Sequence, residues 1–193
     1  MRIKEVHIGG WFQRTTLHLS EMYDFLREGS SELPLDRERM KRLQKSLDIE
    51  SVELEIQNLE CIVLRTKNRI SLKIFEDGLI VLRTGYEEGD DLPEIIRKTT
   101  EYYEKKLSPA FGYIFSLGAP VPKELANIKN VYPYFIALED ASKEEAVGLL
   151  EKFRERKYFE ATSGRFDIFR GDKFYIVNGK GESSECIARF IEE

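Results

Sequence analysis

Two hairpin patterns, each leading through a glycine into a helix, set the strongest limit on what this chain can fold into. Ile74-Phe75 is followed ten residues later by Gly85, and Ile168-Phe169 is followed by Gly179 at the same spacing. Both members are displaced by 94 residues, from Ile74 to Ile168 and from Gly85 to Gly179. In each place apolar residues alternate at period two and then change to helical spacing. The expected class is α+β, with antiparallel β-meanders covered by helices. The echo makes two pseudo-repeated halves one reading; chance recurrence of a common local arrangement is the other.

The first half contains Val52, Leu54 and Ile56 alternating with Glu53, Glu55 and Gln57, the mark of a half-buried strand. Cys61–Leu64 reads as a buried strand, Ile70, Leu72 and Ile74 alternate again, and Glu76-Asp-Gly78 supplies the turn into Leu79–Leu82. A helix is expected from Asp91-Leu-Pro to Leu107, ended by Ser108-Pro109. Val6–Ile8 reads as a short strand broken at Gly9-Gly10. The second half opens with an expected strand at Phe111–Leu117, then Tyr134–Leu138. Ser142-Lys-Glu-Glu145 is a capping box, and three short strands follow between Tyr158 and Val177. The last helix begins at Ser183 or Ser184 and has no terminator, so the natural helix is expected to run longer. The chain divides near Ser108-Pro109 into residues 1–109 and 110–193, expected to pack as one compact unit. The order strand–helix–multistrand–helix in each half resembles the TATA-binding-protein-like saddle. That resemblance is one of element order and has no motif residues behind it.

No apolar run approaches the roughly 20 residues that span a bilayer, and the first residues lack a signal-like stretch. Cys61 and Cys186 both lie in apolar patterns and read as buried thiols of a cytoplasmic protein. The net charge of −5 argues against a bulk polyanion as ligand.

His7, Trp11, Arg14 and His18 form the first candidate ligand-binding group, beside the Gly9-Gly10 pair that lets a ligand approach the backbone. A turn at the glycines with Trp11 as a core anchor explains the same residues without a ligand. Gly179, Lys180, Gly181 and Ser183 form a loop between strand and helix, where backbone N–H groups favour anions. An ordinary turn and cap is the plainer account. The chain ends too soon after this loop for a dinucleotide-binding unit. The acidic run Glu87–Glu94 lacks calcium-loop spacing and reads as helix capping, so no metal or cofactor is expected.

Residues 36–45 and 65–83 together carry ten Lys and Arg against four Asp and Glu. Arg65, Lys73 and Arg83 would share the polar side of a sheet, with Phe75 free to stack, as in single-strand binders. Solvated charge is again the plainer account. Motifs for a serine nucleophile, a P-loop, a redox dithiol or a zinc helix are lacking. The expectation is therefore a non-catalytic cytoplasmic module whose partner is another protein or a second copy of itself. Aromatic residues at Tyr132 and Tyr134 and the rigid 118–122 segment would make the contacts. The alternatives are a nucleic-acid binder using the basic face, and a small-molecule enzyme or sensor at the His/Trp segment. No membrane partner is expected.

Overall fold

The computed structural model describes residues 1–11, 19–30, 36–56, 60–75, 79–115, 134–184 and 186–187. The fold is α+β and mostly antiparallel, and it separates into two compact units interleaved along the chain. One unit comprises Met1–Gly10, Val81–Thr99 and Val131–Glu193, and the other comprises Trp11–Ile80 and Thr100–Asn130.

In the first unit the strand order is β5-β1-β6-β9-β8-β7. The strands are β1 (Arg2–Trp11), β5 (Leu79–Gly85, from Val81 onward), β6 (Tyr134–Glu139), β7 (Phe159–Ser163), β8 (Phe166–Arg170) and β9 (Phe174–Asn178). β1 runs straight through Gly9-Gly10, contrary to the break expected there; its irregularity lies between Ile3 and Glu5. β6 and β9 are parallel, with α5 (Lys143–Lys152), β7 and β8 between them in the chain. Ser142 caps α5 in a reciprocal box with Glu145, as its sequence predicts. Ala146, Leu149 and Leu150 of this helix pack on Ile136, Leu138, Phe169 and Ile176.

Residues paired across strands share a face. Phe135, Tyr175, Val177 and Ile168 therefore point to the other side from Ile136, and all are buried. The terminal segment lies on that side: helical Ser183 reaches His7, and the Cys186 sulfur is 4.0 Å from the Ser163 carbonyl oxygen.

The second unit holds α1 (Leu19–Glu28), α2 (Arg37–Ser46), β2 (Ile49–Glu55), β3 (Cys61–Thr66) and β4 (Ile70–Phe75). β2 is its outer strand. Cys61–Leu64 is buried on both faces, as its unbroken apolar run implies. Asp36 caps α2 through the N–H groups of Glu38 and Arg39. Both cysteines are buried thiols outside any disulfide.

Two expectations fail at Ser108-Pro109. Helix α3 (Leu92–Tyr102) passes into a π-helical turn at Tyr103–Leu107 and continues as α4 (Ser108–Phe115). Phe111 is therefore helical rather than the start of a strand. Proline is tolerated early in a helix, and the widened turn accommodates its ring and missing N–H. The Ser108 N–H bonds the Tyr103 carbonyl, five residues back. Neighbouring strands stand at both places of the echo, β4 with β5 and β8 with β9, each preceded by a further strand, β3 and β7; this shared order does not by itself make the halves repeats. No helix among the described residues is long and apolar enough to cross a membrane.

Candidate functional site

β1 positions Glu5 and His7 two residues apart, so both side chains emerge on the same face of the sheet. Their register partners on β6 are Ala137 and Phe135. His7 is fully buried, and its Nε2 lies 3.0 Å from Glu5 Oε2. Ser183 Oγ is 3.1 Å from the same imidazole nitrogen and 3.1 Å from the same carboxylate oxygen. Arg83, on β5, places NH1 3.2 Å from Glu5 Oε1 and 3.4 Å from Glu182 Oε1. Glu182 Oε1 also accepts a 2.6 Å hydrogen bond from Ser184 Oγ.

Burial alone would raise the Glu5 carboxyl. The His7 hydrogen bond and charge, Arg83 and Ser183 outweigh it and lower the group to about 2. Glu5 is therefore ionised at neutral pH, and that decides the chemistry. A carboxylate 3.0 Å from Nε2 requires a proton on that nitrogen. Nε2 then has no lone pair to take the Ser183 proton. In a serine–histidine–acid relay the acid holds the other ring nitrogen, leaving Nε2 to the serine. Here acid and serine crowd one nitrogen, while buried Nδ1 has no hydrogen-bond partner among the described residues. Glu5, His7 and Ser183 are a polar clasp between β1 and the terminal segment, not a nucleophile relay.

The clasp joins residues from three separate sequence candidates: His7, Arg83 and Ser183. Trp11 lies in β1, while Arg14, His18, Tyr132 and the 118–122 segment fall outside the described residues. In the anion-loop candidate, the Gly179 N–H already bonds the Leu138 carbonyl. Lys180 pairs with Asp140, and the Gly181 carbonyl accepts from Lys4. The Ser183 hydroxyl is engaged by Glu5, a carboxylate that repels an anion.

The β3–β4 register puts Arg65 and Lys73 on one face of their sheet, as expected. Each faces a glutamate, Glu53 for Arg65 and Glu55 for Lys73. Phe75 is 6% exposed, so the stacking role expected of it fails; hydrophobic burial claims the ring first. Tyr134 stacks on Phe174, with Lys173 over its ring. In the acidic run, Asp90 accepts from the Glu87 N–H and Glu94 pairs with Arg97. No group of metal-ligating side chains occurs among the described residues.

The charged run Arg154-Glu155-Arg156-Lys157 hides one residue that the sequence reading missed. Glu155 is buried, and its carboxylate accepts the backbone N–H groups of Asp172, Lys173 and Phe174. Burial opposes ionisation, but these three bonds and the Lys173 charge hold its carboxyl below the usual range. This is a structural clamp on the β8–β9 turn, and nothing in its charged neighbours signals it. Glu5 was more legible, since Glu-x-His within an apolar strand puts both polar groups on one face. No family model matches this chain, and a search of curated proteins finds none similar to it.

Proposed function

We propose that this chain is a non-catalytic cytoplasmic interaction module that binds protein by strand addition at the β7 edge. One observation carries the reading: Phe159, 76% exposed, stands on the outermost strand of its sheet. Four of the five β7 residues are exposed. An edge strand offers a row of backbone donors and acceptors, and an apolar side chain beside it supplies the contact that selects a partner. The polar clasp supports the same reading, because the histidine that would serve a serine nucleophile is committed to Glu5. Neutralised Arg65, Lys73 and Arg83 weigh against nucleic acid as partner.

The test is selection of extended peptides against the full chain, with Phe159→Ala as the counter-selecting variant. Peptides that require Phe159 and slow amide exchange at Glu160 and Thr162 support the reading. If every selected peptide binds the variant equally and leaves those amides unprotected, the reading fails.

A further inference from the structure

We infer that the occupant of the β7 edge is β7 of a second copy, paired antiparallel about a two-fold axis at Ala161. This rests on the strand-addition reading and names its partner. The β7–β8 register pairs Ser163 with Phe166 around a two-residue loop, Gly164-Arg165. Gly164 has φ +59° and Arg165 is not among the residues of positive φ, the pattern of a type II′ hairpin turn. In such a hairpin the residues flanking the loop form a hydrogen-bonded pair. Alternation then turns the backbone groups of Phe159, Ala161 and Ser163 toward β8, and those of Glu160 and Thr162 outward.

A two-fold axis at Ala161 sets Glu160 opposite Thr162 of the other copy, and Thr162 opposite its Glu160. These are the outward-facing residues, so the two pairs exchange four backbone hydrogen bonds. Phe159 meets Ser163 of the other copy, and no like charges face each other within the strand. Moving the axis to Glu160 would oppose two glutamates, each already paired with its own Lys143, and would set Thr162 against Tyr158, which lies outside β7; the seam would then run off the strand. With the axis at Thr162, Glu160 would meet Gly164, where the strand has already turned. Charge and hydrogen bonding therefore select one register of self-pairing. A five-residue seam is small, so assembly should depend on concentration.

Ala161 would face its own counterpart in a non-hydrogen-bonded pair, with Cα atoms about 4.5 Å apart. That separation lies within disulfide range. Sedimentation equilibrium of the full chain should show a reversible dimer, and Ala161→Cys should form a disulfide-linked dimer under mild oxidation. Thr162→Glu, which opposes glutamates at both pairs, should weaken the dimer about three- to tenfold. Thr162→Lys should strengthen it. Melting curves of both variants control for Asp167, which faces Thr162 within its own hairpin.

A chain monomeric at every concentration overturns the inference. If Phe159-dependent peptides still bind that monomer, the strand-addition reading survives; if none bind, both fall. A dimer unaffected by either Thr162 charge, or one that Ala161→Cys does not cross-link, also overturns the inference.

Discussion

Gly171 leaves the space that Glu155 fills. A Cβ on Gly171 would lie 2.8 Å from the Glu155 carboxyl carbon and 2.7 Å from the Phe174 carbonyl oxygen. The Gly171 N–H bonds that same carbonyl at 3.0 Å, so the turn has little freedom to withdraw. The methyl group would push against backbone on one side and a bonded carboxylate on the other. Gly171→Ala should therefore destabilise the protein by roughly 1–3 kcal/mol, read as a lower midpoint in urea unfolding. An unchanged midpoint would show that the turn relaxes.

The clamp also predicts acid sensitivity. The folded-state carboxyl of Glu155 titrates below its unfolded value, so its contribution is complete above the unfolded value and is lost as pH falls. Glu155→Gln keeps one acceptor oxygen but loses the charge, and should cost about 1–3 kcal/mol at neutral pH. Its stability should fall less than wild type on acidification. Parallel stability–pH curves for the two proteins would contradict the clamp.

Glu5 gives a defined window. Its carboxyl is lowered from 4.5 to about 2, against burial, by His7, Arg83 and Ser183. The stabilisation it brings is present above 4.5 and disappears as pH drops toward 2. Glu5→Gln should remove that part of the pH dependence. It should also leave Ser183 unlabelled by a fluorophosphonate probe, as in wild type. Labelling of Ser183 in wild type would overturn the assignment of Nε2 as a proton donor.

Thr84 and Thr99 make a directional pair. The Thr99 hydroxyl donates to the Ile95 carbonyl at 2.7 Å, so the 2.8 Å contact between the two threonines has Thr84 as donor. Both residues are buried. Thr99→Val strands the Thr84 hydroxyl and should cost roughly 1–3 kcal/mol. Thr84→Val leaves Thr99 bonded to Ile95 and should cost less. The double variant should cost less than the two singles added, a coupling that a double-mutant cycle measures.

The local elements were legible because their signals are local. The continuous apolar run Cys61–Leu64 and the Ser142–Glu145 box each act within a few residues, and they appear as strand and capped helix. The alternation at Val52–Ile56 lies in a strand as far as Glu55, but its apolar face is not the buried one: Leu54 is 44% exposed and Ile56, past the strand end, 73%, because β2 is an outer strand. Ser108-Pro109 misled because a proline at a helix start and one past a helix end look alike in sequence; the π-helical turn before it decides which applies.

By itself, the sequence determined the α+β class, the meander of β7–β9, the capped α5 and the burial of both thiols, since periodicity and capping are written within one turn or one strand. Only the tertiary structure decided which distant groups meet. Strand pairing and chain reversal bring Ser183 to His7 across 176 positions, and Asp172–Phe174 to Glu155 across 17 to 19. It also decided that Phe159 stands on an edge while Phe75 is buried. Partnership between remote residues depends on strand order and register, and neither leaves a local pattern to read.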